Sequence, residues 1–433
     1  MEKVINDMNY LLPYKILIYF NLATLVLFSF SPMQSACSGS HWITVFYIFF
    51  NIVCWGYGYK QGVKKGNSIN VKDSTFLSSI SPKVLTYFFL FYLITLLPKY
   101  AYELSQPVFD INGMTSRIAI GLNDPSAGYS MSRGTPPYSW SLYVLISIID
   151  GIFISVGLLS WRKLKTWTRV LFALLCVIEV LKWFGKGTNF GIIMMLVSVL
   201  FAYLARNESS LFTKRRSIFP LLLLILLVST LALMVFSHNM EGRAGGDLES
   251  VNEAIFNLNY NSPINILVID YCPPRVVALY SFLVSYLTGG YTNLECAFQC
   301  PFDWTWFMGS NPSKANLADF VLHTDISSSG YTFAISQKYG IDPYINWHSC
   351  YAWLANDVSL IFVPLLVFFI GKLTSISLVL FKKNNDLLSG VLFIIFTCMC
   401  FFFFANNNYI SSIFYSFMVF FPIWFFTRIF RIR

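Results

Sequence analysis

The chain alternates between long unbroken apolar runs and short polar punctuation. Apolar stretches fall at roughly 14–31, 41–59, 84–104, 139–160, 169–184, 190–205, 217–237, 358–380, 390–405 and 409–427. A helix needs about 20 apolar residues to cross a bilayer core. Lipid offers no partner for a free backbone amide, so only helices or closed barrels can span it. A barrel would show short alternating segments, and these runs are continuous. The pattern predicts an all-α polytopic membrane protein with about ten transmembrane helices.

Charge orients those spans. With the N-terminus inside, 21 of the 30 basic residues fall on inner segments, including Lys60, Lys64, Lys65, Arg162, Lys163, Arg215, Lys382 and Arg428. That is the bias expected of cytoplasmic loops, and it places both termini in the cytoplasm. The net charge of +9 is therefore an orientation signal. No basic run interleaved with aromatics occurs in a soluble segment, so a nucleic-acid partner is not expected. The first span is too long for a secretory leader and lacks a small-residue cleavage site, so it reads as retained. Composition agrees: 56% of residues are hydrophobic and 12% charged, too apolar for a soluble domain of this length.

Residues 1–433 form one integral membrane domain in this reading, with no tandem repeat and no soluble domain. Two outer segments stand out, a medium loop at 105–138 and a large loop at 238–357. A loop that long is usually functional or disordered. The stretch "PPRVVALYSFLVSYLTGGY" (273–291) predicts an interfacial helix that starts after the prolines and stops at Gly289-Gly290. "FDWTWFMG" (302–309) adds two tryptophans suited to the membrane–water boundary. The large loop holds four basic and eleven acidic residues.

Cysteines divide by the same topology. Cys54, Cys176, Cys398 and Cys400 lie in spans. Cys37, Cys272, Cys296, Cys300 and Cys350 lie outside, where an oxidising compartment permits disulfides. The four in the large loop allow three pairings, and sequence chooses none. Cys296 and Cys300 lack the histidine partners of a zinc site.

The residues able to do chemistry are few. Arg243 sits among small residues in "HNMEGRAGGD". Arg275 begins the predicted interfacial helix, where helix end and guanidinium together suit an anion. Each could equally be a structural ion pair. Arg117 and Arg133 lie in the medium loop and could be surface charges. Lys186, between Gly185 and Gly187, sits where the backbone looks open. Ionisable groups at membrane depth are functional candidates by default. Glu179 and Lys182 share a helix face and suggest an internal pair, while Asp150 lies mid-span without an evident partner. His348, in "INWHSCYAWL", could accept a proton from a hydroxyl. Its bland alternative is a hydrogen-bonded interfacial histidine. Walker A, GxGxxG, GxSxG and HExxH motifs are missing. The first outer loop, 32–40, carries no carboxylate of the kind metal-dependent polytopic glycosyltransferases use.

Taken together, about ten spans, two unequal outer loops and arginines in both resemble the O-antigen polymerases of the Wzy type. "FGKGTNFGIIMMLVSVLFAYLA" looks like that family's Gly-basic-Gly turn entering a span. "YLTGGYTNLECAF" and "WHSCYAWLANDVS" resemble parts of its large loop. There the family pattern often ends Asp-Phe-Gly, and here Asp357-Val358-Ser359 stands instead.

The resemblance implies a C-type glycosyltransferase-like fold in a bacterial inner membrane, with short helices in a large periplasmic loop. It implies a metal-independent enzyme without cofactor. The growing glycan would move from undecaprenyl diphosphate to a hydroxyl of the next lipid-linked repeat unit. Arg243 and Arg275 would meet the diphosphate, assisted by Lys186. His348 would act as base, and Arg117 and Arg133 would guide the acceptor. Expected partners are the lipid-linked donor and acceptor, the bilayer and a chain-length regulator. The competing functions are an O-antigen ligase, a lipid-linked oligosaccharide flippase and a membrane acyltransferase.

Overall fold

A computed structural model describes residues 2–37, 39–69, 80–104, 106–107, 110–132, 140–206, 230, 233–234, 236–240, 258–343, 346, 348–405 and 408–430. Among them all regular structure is helical, apart from one isolated antiparallel bridge between Met33 and Leu258. In chain order the helices are α1 (Glu2–Ser29), α2 (His41–Ser68), α3 (Pro82–Glu103), α4 (Ile111–Asn123), α5 (Pro125–Ser132), α6 (Trp140–Ser160), α7 (Thr166–Gly185) and α8 (Phe190–Arg206). There follow α9 (Pro263–Tyr271), α10 (Pro274–Ala297), α11 (Pro312–Leu322), α12 (Tyr331–Tyr339), α13 (Cys350–Asn384), α14 (Leu387–Phe401) and α15 (Asn408–Trp424).

Four helical stretches are long and apolar enough to cross a membrane: Tyr10–Ser29, His41–Ser68, Pro82–Ala101 and Cys350–Asn384. Shorter apolar helices, Phe190–Arg206 and Leu387–Phe401 among them, pack beside these. The protein is thus helical and membrane-embedded. Most of the predicted span 217–237 lies outside the described residues.

Helices α2 and α13 make the most extensive helix–helix contact. Gly58, Gly62 and Gly66 recur every four residues and so line one face of α2. A Cβ at Gly58 would overlap the Phe368 carbonyl oxygen, and one at Gly62 would overlap Ser375 and the Lys372 carbonyl. From the other side, Gly371 leaves no room for a Cβ against the Trp55 carbonyl. Small residues are what allow membrane helices to approach backbone to backbone, since lipid supplies no hydrophobic drive between them.

Two sequence expectations change. The helix expected to stop at Gly289-Gly290 continues to Ala297. Gly290 serves close packing instead: a Cβ there would collide with the Phe404 carbonyl, and its own carbonyl accepts from Ser349 N. The helix containing the span expected from 358 begins at Cys350, where Ser349 caps it by accepting from Ala352 N, and the kink at Ser359 divides it so that its second segment starts where the span was expected. Inside α13, Ser359 adopts φ 64°, ψ 154° and kinks the helix. That region is almost reserved for glycine, so Ser359 holds a glycine-like backbone at the kink.

One disulfide joins Cys37 to Cys296. It links the 32–40 loop to the end of α10, and so differs from every pairing internal to the large loop.

Candidate functional site

Six charged side chains meet between α3, α6 and α7. Lys99 and Glu103 stand one turn apart on α3. Glu179 and Lys182 share a face of α7, and Lys186 follows one turn on. Asp150 comes from α6. Lys99 Nζ pairs with Asp150 Oδ1 and lies 3.4 Å from Glu179 Oε2. Lys182 Nζ lies 2.7 Å from Glu103 Oε2 and also pairs with Glu179 Oε1. The hydroxyls of Tyr92 and Tyr100 donate to Asp150 Oδ1 at 2.7 Å and to Glu179 Oε2 at 2.8 Å. Three ammonium groups balance three carboxylates, which is how charge is tolerated away from water. Asp150 thus finds its partner in Lys99, and the expected Glu179–Lys182 pair is present.

The cluster is partly exposed at two members, Lys186 and Asp150, whose side chains are 23% and 20% exposed. Lys99 and Lys182 are buried. The Lys186 Nζ stands 4.0 Å from Glu103 Oε2 and 4.7 Å from the Trp183 ring centroid. The flanking glycines are not open, as the sequence suggested. Gly187 has φ +58°, and a Cβ there would meet the Pro125 carbonyl. Gly121 of α4 is equally close to the Phe184 carbonyl. The medium-loop helices α4 and α5 therefore clamp the Lys186 turn from above.

Arg117 rides on α4 and is buried, not a surface charge. Its Nε donates to the Leu104 carbonyl at 3.2 Å, which satisfies the end of α3 and complements its dipole. Nη1 contacts Met131 Sδ, and Nη2 has no hydrogen-bond partner. No carboxylate pairs with Arg117 among the described residues. The start of the large loop also reaches this corner: His238 Nε2 lies 2.9 Å from the Leu122 carbonyl, and Asn239 bonds Asn189. Arg243 follows four residues later but lies outside the described residues, as does Arg133. Arg275 is exposed in the first turn of α10.

His348 sits elsewhere, beneath the α10–α13 contact, and is fully buried. Neither ring nitrogen makes a hydrogen bond of normal geometry. Burial pushes its pKa down to about 4, against smaller opposing effects from the Ile341 backbone and the Asp342 carboxylate. The neutral ring is thus favoured by folding. As pH falls below the unfolded value near 6.5, the unfolded chain takes up a proton first. Stability should be full above that pH and decline by about 3 kcal/mol toward pH 4. Thermal unfolding of H348F across that window should show a flatter profile than the parent; superimposable profiles would mean the ring is not held neutral.

Asp357 is wholly engaged in structure. It accepts from Thr305 Oγ1 at 2.8 Å, Gly309 N at 2.6 Å, Ser310 N at 3.0 Å and Lys314 Nζ at 2.9 Å. Asn356 beside it donates to the Gly309 carbonyl and to Thr332 Oγ1. These two side chains hold the 305–332 segment onto α13.

Sequence reasoning missed Lys99 and Glu103 as members of the cluster. The signal was there: two opposite charges at i and i+4 inside "LLPKYAYEL". No family model matches the chain, and no match is found among the curated proteins or the solved structures.

Proposed function

We propose that the protein is a glycosyltransferase of the O-antigen polymerase type, joining lipid-linked oligosaccharide repeat units in a bacterial inner membrane. In this reading about ten helices span the bilayer. The termini are cytoplasmic, and the 105–138 and 238–357 segments are periplasmic. The Cys37–Cys296 disulfide supports placing the 32–40 loop and the large loop together on an oxidising side.

The observation that carries the proposal is the cationic corner. Lys186 stands at a partly exposed edge of a charge-balanced cluster, and the buried Arg117 lies on α4, which packs against the Lys186 turn. Breaking the anomeric C–O bond leaves negative charge on a diphosphate, and fixed cations stabilise such charge as it develops. Arg243 and Arg275 are proposed to complete the diphosphate site, and Arg133 to help guide the acceptor. His348 is the proposed base. In the conformation described its ring is buried, so proton transfer there requires the ring to become accessible.

Reconstitution of the purified protein with its lipid-linked repeat unit in EDTA tests this. A ladder of polymer lengths is expected, with K186A about a hundredfold slower and K186R retaining most activity. Transfer to a lipid A core acceptor alone would make the protein a ligase. Movement of the lipid across the bilayer without any ladder would make it a flippase.

A further inference from the structure

Ser31 in the loop after α1, His41 at the start of α2 and Glu295 on α10 form one hydrogen-bonded chain. Ser31 Oγ lies 2.9 Å from His41 Nε2, and His41 Nδ1 lies 2.7 Å from Glu295 Oε1. A carboxylate accepting from Nδ1–H fixes the tautomer that leaves Nε2 free to accept the serine proton. That is the order of roles in nucleophilic serine catalysis: nucleophile, base, orienting acid. None of the three belongs to the Lys186 corner.

The surroundings hold the three groups still. Ser31 has φ 48°, a left-handed backbone at the residue that turns the chain out of α1. The carbonyls of Phe30, Ser31 and Pro32 accept from Ser262 Oγ, Asn259 Nδ2 and Asn265 Nδ2. Glu295 is buried and adjoins Cys296, which the disulfide ties to Cys37 of the same loop as Ser31. His41 Nε2 also lies 3.3 Å from the Ser29 carbonyl. That oxygen is placed to accept the N–H formed when the ring takes up a proton.

Access is from the lipid boundary. Ser31 follows the candidate membrane-crossing stretch Tyr10–Ser29, and His41 begins the next one. The Ser31 and His41 side chains are half-buried, while Phe30, Trp42 and Ile43 beside them are exposed and apolar. An amphiphile carrying a carboxylic ester can lay its acyl chain on these residues and present its carbonyl to Ser31.

We infer that Ser31, His41 and Glu295 form a second catalytic centre, which transfers or hydrolyses an acyl ester at the membrane surface. Ser31 Oγ bonds to the ester carbonyl carbon, and its proton passes to His41 Nε2. The ester C–O bond then breaks, and the departing alcohol oxygen takes the proton from His41. Water, or an acceptor hydroxyl, attacks the acyl-serine with its proton passing again through His41, which restores Ser31 and releases acid or a new ester. Glu295 stabilises the imidazolium throughout.

The test uses the full-length protein in detergent micelles at pH 8, treated with an alkyl fluorophosphonate and digested for mass spectrometry. An adduct on Ser31, with fluoride displaced, is expected. Labelling should slow at least tenfold in H41Q and more modestly in E295Q. Formation of the Cys37–Cys296 disulfide, read in the same digest, shows that each variant has folded. No Ser31 adduct on the folded parent protein would overturn the inference and leave the three groups as a static latch. Equal labelling of folded H41Q would overturn it too, by removing the base.

Discussion

Replacing Lys182 with methionine should destabilise the protein by about 3–5 kcal/mol, enough that little of it accumulates in membranes. The reason is charge parity. Lys182 sits against Glu103 at 2.7 Å and also pairs with Glu179. Without it, two buried carboxylates share Lys99 and the partly exposed Lys186. The double variant K182M/E179L removes one charge of each sign and should recover most of the loss. Removing a whole buried pair is often near neutral, whereas orphaning one partner is not. Thermal unfolding of parent, both singles and the double closes a mutant cycle, with a coupling of about 2 kcal/mol or more expected. Independent effects that simply add would show that the cluster is not one electrostatic unit.

The second large effect lies at the α2–α13 seam. Gly62→Val forces a branched side chain into space held by Ser375 and the Lys372 carbonyl. Overfilling a packed site usually costs 1–3 kcal/mol, and backbone cannot yield as a flexible side chain can. A loss of about 3 kcal/mol is expected, read as a lower unfolding temperature in detergent. Val53→Ala, at an exposed position on the same helix, provides the control and should change little. If G62V melts with the parent, the two backbones are not in contact there.

How much of this was legible in sequence varies with the kind of signal. Apolar run length marked α1, α2, α3 and α13, because crossing a bilayer needs a fixed length of apolar helix. It marked α8 to within a residue and α7 to within three, because Gly185 to Asn189 punctuate the join between them. The fate of Gly290 was not legible. A glycine that ends a helix and one that admits a neighbouring backbone look alike until the neighbour, here Phe404, is known. Half of the charge cluster was visible, since Glu179 and Lys182 lie three apart on one helix. Asp150 could not be paired, because its partner Lys99 lies 51 residues away. Arg117 could be read as an acceptor-guiding group or a surface charge for the same reason: only packing shows that it closes the end of α3. The chain Ser31–His41–Glu295 was invisible, since no local spacing connects a residue in the loop after α1 with residues on α2 and α10.

The α2–α13 seam also sets a timetable. Synthesis proceeds from the N-terminus, so α2 enters the membrane while most of the chain is still unmade. Its glycine face, shaped for a helix backbone, must wait beside lipid until residues 350–384 emerge. Cys296 precedes them, so its bond to Cys37 can close first and tether α10 beside α1 and α2. The cross-link fixes the end of α10 beside the loop between α1 and α2, the latter being the helix on which α13 packs most extensively.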